Sequence, residues 1–175
     1  MVNLNFKTLL ERYRSGERKF QDLIIHSVDG FECNLQGIDL DGSTFFDAYL
    51  PYSNLSQARL RGVTLKEGNL GDAKLFSAVL SDSNLVSANL SRVDLRYAVL
   101  TSANLQSVDL TGADLRGADL TGADLTGATL SRANLTQAKL ERVCLSGTNL
   151  FRATGVDLEK AICDRTTILP DGHYY

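Results

Sequence analysis

The sequence is poor in the residues that build metal and disulfide sites, and it has no apolar run long enough to cross a bilayer. Its three cysteines, Cys33, Cys144 and Cys163, lie far apart, which favours neither a disulfide framework nor a zinc site. His26 and His173 are the only histidines, and neither belongs to a metal-ligand or nucleophile pattern. The sequence therefore predicts no metal, no cofactor and no membrane span.

An excess of one charge is also lacking. The 175 residues include 18 Lys and Arg against 21 Asp and Glu. That balance gives no overall attraction to nucleic acid or to an anionic membrane surface. Lys7, Glu11 and Arg12 interrupt the apolar stretch that a secretory signal peptide would need. We expect a cytoplasmic protein that binds neither nucleic acid nor membranes.

One five-residue pattern dominates what is present. Of the 24 residues found at every fifth position from Leu35 to Leu150, 23 are Leu and one is Phe45. The residue two positions before each of them is never charged, and it is Ala in 13 cases. A pattern kept in one phase over this length is an internal repeat, which is typical of a solenoid.

A period of five fits a short extended segment followed by a corner better than it fits a helix or a long strand. In extended backbone, Ala113 and Leu115 point to one side and Asp114 to the other, while Arg116 and Gly117 make the bend. Repeated bends in one sense wind a coil, and successive coils stack through backbone hydrogen bonds. The predicted structural core includes Leu35, Leu55, Leu75, Leu95, Leu115 and Leu135.

The segment ADLTGADLTGATLSRANL (Ala118–Leu135) resembles the pentapeptide-repeat family, whose pattern is A(D/N)LXX. The resemblance covers roughly residues 20–168 and is most specific over Cys33–Arg152. It implies an all-β fold, a right-handed quadrilateral β-helix with four five-residue faces per coil. The segment Arg12–Phe20 resembles the N-terminal helix and turn of short family members that are abundant in cyanobacteria. This resemblance implies a cyanobacterial source.

We expect one domain over residues 1–175. An apolar pattern at i, i+3, i+4 and i+7, formed by Phe6, Leu9, Leu10 and Tyr13, predicts a capping helix over residues 5–15. The main coils are expected over residues 20–152. Gly30 interrupts the Leu register there, which predicts a bulge in the first coil.

The Leu register also slips over residues 153–155, where Gly155 stands in place of Leu. We interpret this slip as a three-residue insertion. Residues 156–175 would then form the last faces, with Cys163 and Ile168 pointing inward, and a tail. The tail either covers the open end of the stack or faces a second copy in a homodimer joined at the C-terminal end.

No catalytic group emerges from the repeats. The acidic residues Asp109, Asp114, Asp119 and Asp124 fall on consecutive faces, so their carboxylates point apart and cannot converge on an ion. No nucleophile lies beside a base in any recognisable pattern. The sequence predicts a protein that is not an enzyme.

Outward aromatic residues are the candidate partner-binding residues. Phe46, Tyr49 and Tyr52 fall around one corner, and Phe76 and Tyr97 lie on one face in adjacent coils. Aromatic side chains are enriched at binding surfaces, although single exposed rings are common. The alternative is an ordinary solvated surface.

Three functions remain after enzymes are set aside. The first is a scaffold that binds an unidentified protein partner. The second is mimicry of DNA, since quinolone-resistance members of the family resemble B-form DNA and bind gyrase. Residues 33–152 carry 12 acidic and 11 basic residues, far from the charge density of DNA. The third is a regulatory module, as in some cyanobacterial members.

Overall fold

Backbone pairing joins residues that lie twenty positions apart along most of the chain. The computed structural model describes residues 2–175. A parallel bridge links Lys19 to Asp39, and every fifth residue then pairs with the one twenty further on, as far as Asn134 and Thr154. Each coil therefore contains four five-residue segments.

Regular secondary structure is sparse and concentrated at the N-terminus. Strand β1 (Val2–Asn3), helix α1 (Phe6–Arg14), strand β2 (Leu23–Ile25) and strand β3 (Thr44–Phe45) follow in chain order. The three strands form one parallel sheet in the order β1-β2-β3. Beyond β3, single-residue bridges replace strands, because a corner follows each extended segment after a few residues.

The leucines at every fifth position from Leu35 to Leu150, which we call the register leucines, fill the centre of the stack. All of them are at most 6% exposed, and Phe45 is 4% exposed. Most of the small residues two positions earlier are buried beside them, as Ala113 is beside Leu115, whereas Cys33 and Ala138 are partly exposed. Burial of one Leu side chain contributes about 1.5–3 kcal/mol, so the continuous Leu column is the main source of stability.

The corners depend on a left-handed backbone conformation at the second residue after each Leu. Tyr97 has φ of 58°, Arg132 has 62°, and Gly117 has 66°. A residue with a Cβ is disfavoured in this conformation by roughly 1–2 kcal/mol. Hydrogen bonds to the next coil and across the corner compensate: Tyr97 N donates to Arg116 O, and Ala98 N donates to Leu95 O.

Helix α1 packs its apolar face onto the first coil. Asn5 caps its start, with Oδ1 accepting from Lys7 N at 2.8 Å, and Ser15 follows its end. Phe6, Leu9 and Tyr13 are buried and belong to the same core cluster as the register leucines. The helix therefore extends the core by three large side chains.

The bulge expected at Gly30 is wrong. The twenty-residue pairing continues through Asp29 and Tyr49, so Gly30 occupies a normal register position and is buried there. A Cβ on Gly30 would meet Leu50 Cδ2, and it would lie 3.0 Å from Phe6 Cζ. Leu50 and Phe6 of helix α1 therefore both occupy the space beside Gly30.

The slip near Gly155 shortens a coil and does not lengthen it. Thr154 still pairs twenty residues back, with Asn134, whereas Ile162 pairs with Cys144, only eighteen residues back. Two corner residues are therefore missing, and the expected three-residue insertion is wrong. Gly155 turns the chain with φ of 68°, and an added Cβ would lie 2.5 Å from the backbone of Thr136, so only glycine fits without displacing that coil.

The last face contains one residue more than the five-residue spacing allows. Ile168 pairs with Asn149, nineteen residues back, so it occupies the outward position. Thr167, one residue earlier, aligns with the buried Thr148 and is itself fully buried, and its hydroxyl donates to Leu145 O at 2.8 Å. The expectation that Ile168 points inward is therefore wrong.

The C-terminal tail folds back on this last face. Tyr174 forms an antiparallel bridge with Ile168, and Leu169 N donates to His173 O at 2.7 Å. Tyr174 is nevertheless 68% exposed and Tyr175 is 59% exposed. Within residues 2–175, no helix has the length and apolar character needed to cross a membrane.

Candidate interaction surfaces

The outward Asp and Asn residues stabilise the corners that follow them. Each of Asp109, Asp114, Asp119 and Asp124 accepts a hydrogen bond through Oδ1 from the backbone N–H two residues later, at 2.9–3.2 Å. Asn residues make the same bond in other coils. These short local bonds give the Asp and Asn side chains a structural role in the turns that follow them.

Neighbouring cations and hydroxyls add to this arrangement. Arg116 donates to Asp114 from Nε at 2.8 Å and from Nη2 at 2.6 Å, and these bonds hold the pKa of that carboxyl below its usual range. Burial alone would raise the pKa of Asp119, but hydrogen bonds from Thr121 and Lys139 outweigh it and lower the pKa. Within residues 2–175, no group of three or more His, Cys, Asp or Glu side chains is placed to hold a metal.

Replacing one corner acceptor tests this role directly. We expect Asp109→Ala to lower the free energy of unfolding by about 1 kcal/mol, because Thr111 N loses its acceptor. Asp109→Asn keeps an Oδ1 acceptor and should stay close to the unmodified protein. Urea denaturation followed by circular dichroism measures both. Equal stability of the two variants would contradict the structural role.

Acidification should weaken the protein through Asp114. Its pKa is lower in the folded than in the unfolded chain, so the ionised carboxylate adds stability above the unfolded pKa of about 3.9. That stability disappears as the pH falls through the folded pKa. We expect Asp114→Asn to be less stable than the unmodified protein at neutral pH, and the urea midpoints to converge as the pH falls below the folded pKa of Asp114. A difference that stays constant with pH would exclude this contribution.

Phe76 and Tyr97, predicted to share a face, are in contact. Their ring centroids are 5.8 Å apart in an edge-to-face arrangement. Arg96 lies over the Phe76 ring at 5.5 Å and also pairs with Asp94 at 2.8 Å. Tyr97 is 58% exposed, whereas Phe76 is half-buried beneath its neighbours. Only Tyr97 therefore presents a large aromatic surface here.

Phe46, Tyr49 and Tyr52, predicted to lie around one corner, belong to two separate aromatic contacts. Phe46 stacks on His26 with centroids 4.8 Å apart. Tyr49 and Tyr52 associate with Phe31, at 6.5 Å and 5.7 Å between centroids. We call Phe31, Tyr49 and Tyr52 the N-terminal aromatic patch; all three rings are about half exposed.

Sequence reasoning missed the contributions of Phe31, His26 and Arg96 to these surfaces. His26 and Arg96 lie twenty residues from Phe46 and Phe76, respectively. A search for aromatic and basic side chains at that spacing would have found both. Phe31 lies twenty-one residues before Tyr52, so a search at twenty-residue spacing would not find it. Its ring leans out of its own row of side chains toward the row that contains Tyr52.

The twenty-residue pairing of the coils agrees with a match between the chain and a known sequence repeat. Eight copies of the pentapeptide-repeat sequence pattern match the chain, over residues 31–62, 73–112 and 113–154. The chain belongs to the pentapeptide repeat family. Pentapeptide repeat proteins form right-handed β-helices, and the coils described above are those of such a helix. They are generally non-enzymatic structural or interaction proteins.

Solved structures of other pentapeptide repeat proteins are similar to this chain. HetL, involved in heterocyst differentiation regulation in the cyanobacterium Nostoc sp. strain PCC 7120, has 26% identity and a TM-score of 0.31, covering 98% of this chain and 100% of its own. Rfr23 from the cyanobacterium Cyanothece 51142 has 24% identity and a TM-score of 0.48, with coverage of 90% and 99%. Full-length QnrB1, a plasmid-mediated fluoroquinolone resistance protein, has 17% identity and a TM-score of 0.41, with coverage of 93% and 89%.

These TM-scores are below 0.5, so the family assignment depends on the repeats and not on the superpositions. No curated protein is significantly similar to the chain in sequence.

Proposed function

We propose that this pentapeptide repeat protein is a non-enzymatic scaffold that binds a partner protein through exposed aromatic residues. The observation that carries the proposal is the concentration of half-exposed rings on an otherwise polar, regular surface. Buried apolar groups form the core of the coils, and exposed rings such as Tyr52 and Tyr97 lie outside that core. Aromatic side chains are the residues that most often dominate the energetics of binding surfaces.

The proposed molecule is a single domain over residues 1–175 with a quadrilateral cross-section. Helix α1 serves as its N-terminal cap, supported by the burial of Phe6, Leu9 and Tyr13. The proposed binding residues are Phe46, Tyr49 and Tyr52 near the N-terminal end, and Phe76 with Tyr97 on another face. We place the protein in the cytoplasm, and in a cyanobacterium by its resemblance to cyanobacterial members.

Capture from host extract tests the scaffold. Immobilised protein should retain a specific host protein, and Tyr49→Ala with Tyr52→Ala, or Tyr97→Ala, should lose it because the rings that contact it are gone. Thr129→Ala and Gln137→Ala alter the positions that correspond to Tyr49 and Tyr97 in later coils and serve as controls. Retention by every variant at unchanged melting temperature would exclude the aromatic residues as the binding site.

We also propose that two copies associate through the C-terminal end. Ile162, Tyr174 and Tyr175 are each more than half exposed there, which supports an apolar contact surface. A symmetric dimer would use the same surface on both copies. Sedimentation should show a dimer for the full chain and a monomer for a chain ending at Leu169. A full chain that stays monomeric at high concentration would remove the dimer.

DNA mimicry receives less support than a scaffold. Mimicry needs a dense array of unpaired carboxylates, whereas several surface carboxylates here pair with cations. Asp72 pairs with Arg92 and Asp119 pairs with Lys139 across neighbouring coils. A regulatory role remains compatible with a scaffold, since regulation by binding uses the same surfaces.

A further inference from the structure

We infer that the N-terminal aromatic patch binds an arginine-bearing segment of the partner protein. This inference rests on the proposed scaffold function and names the chemistry that one of its surfaces recognises. It starts from the geometry of the three rings. Phe31 and Tyr49 are nearly parallel, with 15° between their planes, and Tyr52 stands at 70° to Phe31. Rings in this arrangement present π faces from two directions, and cations bind to such faces.

The charges around Phe31 and Tyr49 have the sign that attracts a cation. Asp29 forms a parallel β-bridge with Tyr49. Glu32 follows Phe31 in the chain, and its backbone N–H donates to Pro51 O at 3.0 Å. Both side chains are exposed, and neither forms an ion pair with any residue in the range 2–175. Residues 28–32 and 48–52, which form this side of the first two coils, contain two acidic residues and no basic ones.

A depression beside Phe31 gives the cation room. It measures about 410 Å³ and is lined by Phe31, Asp29 and Glu32 on the coil and by Leu10 and Arg14 of helix α1. The two carboxylates outnumber the single basic side chain. The depression opens beside the Phe31 edge of the patch, where an arginine meets one ring and two carboxylate acceptors.

Arginine suits the patch better than lysine. A guanidinium is planar, so it stacks on an aromatic ring, and it is less strongly hydrated than an ammonium group. It also offers several donors to a pair of carboxylates. The acidic character of the patch argues against nucleic acid as its ligand.

The test uses fluorescence anisotropy with a labelled peptide of alternating Arg and Gly, and with matched peptides that carry Lys or Gln in place of Arg. We expect the Arg peptide to bind more tightly than the Lys peptide, and the Gln peptide not to bind. Tyr49→Ala combined with Tyr52→Ala should raise the Kd of the Arg peptide about tenfold. Asp29→Asn combined with Glu32→Gln should raise it about threefold and reduce its dependence on salt.

Phe151→Ala is the matched control, since it removes an exposed ring several coils away from the patch, and it should leave the Kd unchanged. Equal binding of Arg and Gln peptides, or an equal loss with Phe151→Ala, would overturn the inference. So would absence of Arg-peptide binding. If a host protein is captured through Tyr49 and Tyr52 while the Arg peptide fails to bind, the scaffold function stands and only the arginine specificity falls.

Discussion

Leu115→Asp is expected to leave the protein unfolded, while Arg116→Asp leaves it folded. Leu115 is fully buried in the centre of the stack. Truncation of a buried leucine alone costs about 2–5 kcal/mol. A carboxylate at this position has no partner in the apolar core, and its desolvation adds several kcal/mol more. The sum is comparable to the whole stability of a domain, about 5–15 kcal/mol.

Arg116→Asp places the same side chain one residue further along, on the outside. It removes the ion pair with Asp114, which on an exposed surface is worth at most about 1 kcal/mol. Far-UV circular dichroism and thermal melting distinguish the two outcomes. Similar melting temperatures for the two variants would mean that the Leu column does not stabilise the coils.

Removal of residues 1–16 should lower the melting temperature and cause self-association. The deletion takes away Phe6, Leu9 and Tyr13, and loss of their burial costs roughly 1.5–3 kcal/mol for each side chain. It also removes β1, which pairs with β2, and so leaves a free strand edge on the first coil. A free edge beside an uncovered apolar surface favours association between chains.

Two full-length variants separate loss of the apolar face from loss of the segment. Phe6, Leu9 and Tyr13 changed to Ser should reproduce the deletion, since the backbone remains but the buried groups are gone. Lys7, Glu11 and Arg14 changed to Ser alter only the exposed side of helix α1 and should have little effect. Light scattering during thermal denaturation measures both properties. A truncated chain that stays monodisperse with an unchanged melting temperature would contradict the capping role.

For the aromatic surfaces, the sequence predicts which rings face outward but not which rings are in contact. The period of five places Tyr49 and Tyr52 on the outside, because only every fifth residue and the one two before it face the core. The period does not determine which outward rings are in contact, because that depends on how side chains lean toward neighbouring rows on the surface. Phe46 thus stacks on His26, and Phe31 joins Tyr49 and Tyr52.

The repeat by itself determined which residues face the core and where the corners fall, because one side-chain pattern recurs in a single phase over 24 segments. Tertiary structure decided the exceptions. A period of five cannot distinguish three residues gained from two residues lost, and only the pairing of Ile162 with Cys144 shows that the coil at Gly155 is shorter. The sequence likewise shows a missing side chain at Gly30, whereas only the packing shows that Leu50 and Phe6 of helix α1 occupy the space beside it. Both features depend on contacts between distant segments, which a local pattern does not contain.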